Sequence, residues 1–295
     1  MIRVRELAYR AANAALIGAL GWLHRRYPAP PTYRLGPDGP ATLFEGCWFT
    51  YHPLEFGSTG NIDWEPNAEN TTRLALFHRI KDGQVFYDIG AHGGVYTITL
   101  RHRFPGIEVH SFEPQPEELL QSLALNQMSA ENVHAVAVGE TSGVVRMTTK
   151  KRSSNHVSET GDREVPLVRL DDFATEKSLP APDWIKIDIE GLEMPALRGA
   201  EGLLKTSKPT VICEINHLHG RFGTRITDFL RFMRGLGYEV YRLADGVLEA
   251  LPEADSFEKL GYSANWNFWF VHEDKRGMLG SLHKVPKPYT PAEST

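Results

Sequence analysis

From Gln84 onward, short apolar runs rich in β-branched and aromatic residues alternate with longer segments whose apolar positions recur at helical spacing. The stretches Val85–Tyr96, Ile107–Pro114, Trp184–Gly191 and Pro209–His217 each open as an apolar strand that runs into an acidic or polar end. The segments between and after them predict helices at Val95–Arg103, Pro116–Met128, Leu170–Glu176, Glu193–Leu204 and Arg225–Leu236. Such alternation demands an α/β fold, doubly wound, with a mostly parallel sheet and helices on both faces. Tyr238–Leu243 and Trp266–His272 supply the last strands. Val144–Thr149 and Val165–Val168, joined by a polar loop, predict a hairpin inserted between the third and fourth core strands.

The region upstream follows other patterns. Residues 1–27 read as one helix in which arginines bracket the uncharged run Ala11–Leu23. That run falls short of the ~20 residues a spanning helix needs, and no small-residue cleavage site follows it. A packed helix or an interfacial anchor remains, with the arginines at the lipid surface. Residues 28–80 form a linker and cap, with short strands at Thr42–Phe44 and Cys47–Tyr51 and a helix at Glu69–Ile80. The aromatic residues Trp48, Phe49, Tyr51, Phe56 and Trp64 read as packing before they read as a sugar platform. Residues 81–275 make the main domain, and residues 276–295, with Pro286, Pro288 and Pro291, a flexible tail.

Composition narrows the function classes. A net charge of −5 and a pI near 6.2 oppose broad electrostatic capture of nucleic acid. The short Lys150-Lys151-Arg152 run is expected at a solvated hairpin tip. Cys47 and Cys213 are far apart, which offers neither a disulfide framework nor zinc spacing and fits a reducing compartment.

The chemistry gathers where strands end. The run from Val85 passes through Asp88 into a glycine turn of the form D-x-G-x-x-G, with Gly90 and Gly93 at its glycine positions and Gly94 directly after it. A dinucleotide loop would instead read G-x-G-x-x-G. A pyrophosphate disfavours a carboxylate there, whereas the ammonium and sulfonium of S-adenosylmethionine favour one. Glu113, at the next strand end, lies where a carboxylate accepts hydrogen bonds from ribose hydroxyls. Asp188 and Glu190 end the third of these strands, and Glu214, Asn216 and His217 the fourth. Parallel strands deliver all these groups to one edge. Two other classes fit in part. A nicotinamide-dependent oxidoreductase would explain Glu113 but not Asp88, and a non-catalytic S-adenosylmethionine-binding scaffold would not need so many acids.

In family order, the segments Asp88-Ile-Gly-Ala-His-Gly-Gly94, Phe112-Glu-Pro114, Ala135–Gly139, Val168–Asp172, Ile185-Lys-Ile-Asp-Ile-Glu-Gly191 and Leu197-Arg-Gly-Ala200 resemble the FkbM family of S-adenosylmethionine-dependent methyltransferases. The resemblance implies the Rossmann-like class I methyltransferase fold with its last strand antiparallel. It implies cofactor contacts at Asp88, Gly90, Ala91, Gly94, Glu113 and Val138, and an O-methyltransferase acting on a hydroxyl of a sugar, glycan or polyketide-type metabolite. His92 and Gly93 depart from the usual family residues, an amide and an aliphatic; His92 either touches the cofactor carboxylate or shapes the turn. A weakly acidic hydroxyl needs a base or a metal. Asp188, Glu190 and His217 are the catalytic candidates, with Glu214 and His219 at the same edge. Asp188, Glu214 and Asn216 are an alternative magnesium set, which is not the expected arrangement. The expected partner is a small-molecule or glycan acceptor, with no nucleic acid. The expected location is the cytoplasm, with peripheral contact at the inner membrane face through residues 1–27 as the alternative.

Overall fold

Buried on both faces, the strands β4 (Val85–Ile89), β5 (Glu108–Phe112), β10 (Trp184–Ile187) and β11 (Thr210–Ile215) form the parallel centre of a sheet. The computed structural model describes residues 33–36, 39–50, 68–149, 157–158, 160–215, 220, 223–244, 247–251 and 266–279. The expectations for residues 1–27, for Tyr51, Phe56 and Trp64, for Lys150–Arg152 and for Asn216, His217 and His219 lie outside the described residues. The sheet continues through β6 (Val133–His134) on one side. On the other it continues through β14 (Trp266–His272), β12 (Tyr238–Ala244) and β13 (Val247–Ala250). The order is β13-β12-β14-β11-β10-β4-β5-β6, and β14 runs antiparallel to both its neighbours. The sheet is therefore the expected mostly parallel one with its last strand reversed.

Alternate residues feed two cores. Tyr87, Ile89, Ile185, Ile187, Val211 and Cys213 face α4 (Leu170–Glu176), α5 (Glu193–Gly199), α6 (Glu201–Thr206) and α7 (Ile226–Gly235). Phe86, Val109, Trp184, Ile212 and Trp269 face α1 (Ala68–Phe77) and α2 (Val95–Arg103). This two-residue period with both faces covered explains why the strands read as continuous apolar runs.

Three elements differ from expectation. The helix expected over Glu193–Leu204 is two, α5 and α6, because Asp171 of α4 takes the amides of Gly202 at 2.8 Å and Leu203 at 2.9 Å and so caps a new helix there. The inserted hairpin, β8 (Gly143–Met147) and β9 (Arg163–Arg169), is antiparallel as expected but joins β7 (Ala137–Gly139) in a sheet of its own. Of the expected tail 276–295, the first four residues belong to a 3-10 helix, Glu273–Leu279, which buries Leu279, and residues 280–295 lie outside the described residues.

The cap is a meander of β1 (Tyr33–Gly36), β2 (Gly39–Phe44) and β3 (Cys47–Thr50). Its β3 docks on α3 (Glu117–Leu125) and the residue after it. The Asn126 side chain accepts from the Trp48 amide at 2.7 Å and donates to the Trp48 carbonyl, imitating a neighbouring strand. Cys47 and Phe49 pack with Ala91, Ile98, Leu119 and Leu123, so Phe49 is core. A buried Arg73 on α1 pairs with Glu45 at 3.0 Å and fixes the turn between β2 and β3.

The glycine of the Leu-Arg-Gly-Ala segment has a packing reason. A Cβ on Gly199 would lie 2.0 Å from the carbonyl oxygen of Gly139, where α5 meets β7. Gly199→Ala must push that helix off the strand, at a cost of about 1–3 kcal/mol. The urea midpoint should fall accordingly, and an unchanged midpoint would show that the contact is not tight.

Candidate functional site

Parallel neighbours β5, β4, β10 and β11 bring Glu113, Asp88, Asp188 and Glu214 to one edge of the sheet. The loop after β4 turns its amides toward the neighbouring strand. Gly90 and Ala91 donate to the Phe112 carbonyl at 2.9 and 3.4 Å, and His92 donates to Glu113 Oε2 at 2.9 Å. Glu113 Oε1 accepts from the Gln115 amide at 2.9 Å. Glu113 thus braces the loop and its own strand end while each oxygen keeps further acceptor capacity. Burial raises its carboxyl, and the amides of Gln115 and His92 and the His92 ring pull the other way.

Gly90 has φ +87°, and a Cβ there would lie 1.9 Å from the carbonyl oxygen of Asp188. Only glycine lets the β4 loop cross the end of β10 so closely. Gly94, also at φ +87°, precedes α2 with no side-chain cap of its own. The cap comes from Asp88, whose Oδ2 accepts from the Thr97 amide at 3.1 Å and its hydroxyl at 2.6 Å. Thr97 Oγ1 continues to Ser111 Oγ at 2.7 Å. One oxygen of Asp88, expected to line the methionine end, is therefore engaged within the protein, and the residue is 2% exposed.

His92 adopts φ 47° and sets its Nε2 3.4 Å from Glu118 Oε2, while Glu118 Oε1 accepts from Thr50 of the cap at 3.4 Å. The His92 backbone shapes the turn, and its ring links the loop to α3 and β3. Ala91 is buried beneath the cap. Val138, expected among the cofactor contacts, packs with Ile89, Phe112 and Phe173 and is 3% exposed.

On β10, the buried Lys186 places Nζ 3.3 Å from Asp188 Oδ2 and 5.5 Å from the centre of the Tyr96 ring. Burial would raise the Asp188 carboxyl. The Lys186 ammonium, with a hydrogen bond from Glu214, more than offsets this and holds it below the ordinary range. Asp188 is thus held ionised and keeps a third of its side chain accessible. Burial pushes Asp88 up to about 6, against the Thr97 bonds and Lys186. Glu190, half-buried, sits at φ 57°, a costly conformation for a side chain without glycine's freedom. Glu193 was not anticipated as a site residue. It is 1% exposed, and its Oε1 accepts from Ile189 at 3.2 Å and from Gly191 at 2.9 Å. Burial pushes it up to about 7. Its place one turn after the acids was the available signal, but nothing in the spacing tells a pinned carboxyl from a solvated helix start.

No group of three or more His, Cys, Asp or Glu among the described residues is arranged to hold a metal. Asp188 and Glu214 are joined by a hydrogen bond, and Asn216 of the magnesium set lies outside the described residues. For S-adenosylmethionine the residues fit. The loop amides of Gly90, Ala91 and His92 are occupied and so present no anion cradle. The ionised Asp188 suits a cation, and Glu113 retains acceptor capacity for hydroxyls.

Residues 88–240 match the family model described as the methyltransferase FkbM domain. The curated 31-O-demethyl-FK506 methyltransferase FkbM of Streptomyces tacrolimicus is 27% identical over 209 residues, covering 58% of this chain and 79% of its own. Methyltransferase 1 of Beauveria bassiana is 24% identical over 174 residues, covering 50% of this chain and 70% of its own. Among solved structures, methyltransferase FkbM from Methylobacillus flagellatus KT aligns with a TM-score of 0.43 at 22% identity. That alignment covers 65% of this chain and 44% of the other.

The raised Asp88 carboxyl has a consequence for stability. Its folded value near 6 exceeds the unfolded value near 3.8, so the native chain binds more protons between them. Its contribution to stability is complete below the unfolded value and is lost as pH rises through about 6. His134, pushed down to about 4 chiefly by burial, acts in the opposite sense, so a comparison of variants isolates Asp88. Between pH 5 and 7.5, Asp88→Asn should gain about 1 kcal/mol relative to the unsubstituted protein in urea unfolding. A difference that stays constant with pH would remove the assignment.

Proposed function

The chain belongs to the FkbM methyltransferase family, and from that premise we propose that it is an S-adenosylmethionine-dependent O-methyltransferase acting on a hydroxyl of a sugar, glycan or polyketide-type metabolite. The family replaces the nicotinamide and scaffold alternatives. The observation that carries the cofactor reading is the loop after β4. Its amides are held by the end of β5, and its glycine crosses the Asp188 carbonyl, so the edge offers carboxylates where a pyrophosphate site offers free amides. The oxygen acceptor is supported by the name of the Streptomyces relative, a 31-O-demethyl-FK506 methyltransferase.

S-adenosylmethionine, when bound, supplies a methyl group on a sulfonium that an oxygen nucleophile displaces in line. In the proposed site Glu113 accepts from the ribose hydroxyls, while Gly90, Ala91 and Gly94 form the wall beside the methionine end. Asp88 shapes that wall through Thr97. Asp188, kept ionised by Lys186, balances the positive charge or takes the proton of the acceptor hydroxyl. Glu190 faces the same edge, and His217 is the alternative base. Orientation and exclusion of water carry most of the demand, because the methyl donor is already activated. Among the described residues no helix is long and apolar enough to cross a membrane. We propose a cytoplasmic enzyme, with residues 1–27 either docked on the domain or lying on the inner membrane surface.

Titration calorimetry with S-adenosylmethionine, S-adenosylhomocysteine and NAD tests the cofactor assignment. The first two should bind and NAD should not. Loss of the Glu113 carboxylate removes charged acceptors worth roughly 1.5–3 kcal/mol. Glu113→Ala should therefore weaken S-adenosylmethionine by about 10- to 150-fold. An unchanged dissociation constant in a folded variant would exclude Glu113. Labelled cofactor incubated with a cell extract, followed by product identification, tests the acceptor class; a methylated nitrogen or carbon would overturn it.

A further inference from the structure

The turn after β10 is built around one side chain. Glu190 stands at φ 57° and Gly191 at φ 113°, two successive left-handed residues that point the flanking amides inward. Both amides, those of Ile189 and Gly191, donate to the same oxygen, Oε1 of Glu193. The carboxyl also engages its own backbone amide. Its second oxygen is buried with no hydrogen-bond partner among the described residues. The turn is also wedged from outside, since the Asp188 carbonyl abuts Gly90. A buried acceptor that ties both sides of a strained residue does more than start a helix, because its two bonds offset the cost of the positive φ at Glu190.

Resting on the S-adenosylmethionine reading of this edge, we propose that Glu193 is its positioning residue: it holds the Asp188–Gly191 turn in the shape that presents Asp188 and Glu190 to the ligand. The role is that of a hydrogen-bond acceptor, and the charge is incidental. With its carboxyl raised to about 7 by burial, Glu193 carries a proton for much of the time at neutral pH, and a protonated carboxyl still accepts through Oε1. Glutamine has the same reach and the same acceptor. Aspartate keeps the charge but withdraws by one carbon–carbon bond, ~1.5 Å, from both amides.

Two substitutions therefore separate reach from charge. Binding of S-adenosylmethionine and S-adenosylhomocysteine is measured by calorimetry, and exchange of the Ile189 and Gly191 amides by hydrogen exchange. Glu193→Gln should keep both affinities within about threefold and keep the two amides protected. Glu193→Asp should weaken both ligands by tenfold or more and expose the amides. Aspartate tolerated within threefold, or glutamine as damaging as aspartate, overturns the proposal. If the unsubstituted protein binds neither ligand, the cofactor reading fails, and the amide exchange alone judges the pinning. If Glu193→Asp does not fold, exchange in the unsubstituted and glutamine proteins decides. Slow exchange at both positions supports the pin, and exchange as fast as in a free loop removes it.

Discussion

A charge constraint governs this edge. Parallel strands all end on the same side, so a sequence that places an acid at each strand end brings four carboxyl-bearing tips together. Among the described residues, Lys186 is the buried cation between them, beside Asp188 and within electrostatic reach of Asp88. Unpaired buried charges are costly, so the remaining acids are tied to amides and hydroxyls or hold their protons. Asp88 is tied to Thr97, Glu113 to two backbone amides, Glu214 to Asp188 and Glu193 to the turn. The arrangement leaves Asp188 as the ionised carboxylate with accessible surface, and the acids around it act largely as scaffolding.

The sheet was legible because its code is local. A strand covered on both faces must be apolar throughout, and the helices between must show a three-to-four residue period. Val95–Arg103, Leu170–Glu176 and Trp266–His272 therefore appear in the structure with the expected bounds. The break between α5 and α6 was not legible, because it depends on Asp171, some 30 positions away in sequence. β13 was likewise missed: a short edge strand carries no strong period, and its place is fixed by pairing with β12.

At the site, the sequence identified which residues reach the edge and said less about what each does there. Gly90 was expected for its turn, yet the structure adds the Asp188 carbonyl that forbids any side chain. Val138, in a segment resembling the family, is buried among Ile89, Phe112 and Phe173, a packing that residue type and spacing do not specify. Glu193 escaped notice because a glutamate at the first position of a helix is common, and only its inward rotamer distinguishes it. Residue type and spacing specify a strand tip; the direction of a side chain depends on packing from elsewhere in the chain.

The cap changes where this domain begins in a physical sense. The family match starts at Asp88, but Phe49 and Cys47 complete the core beneath Ala91, and Asn126 treats β3 as an extra strand. Thr50, Glu118 and His92 then join the cap to the glycine loop. The core of the matched segment is therefore completed by the meander that precedes it. A fragment cut at the family boundary would leave an apolar floor open to water directly under the loop. The apolar contacts that seat the glycine loop thus come from both sides of the family boundary.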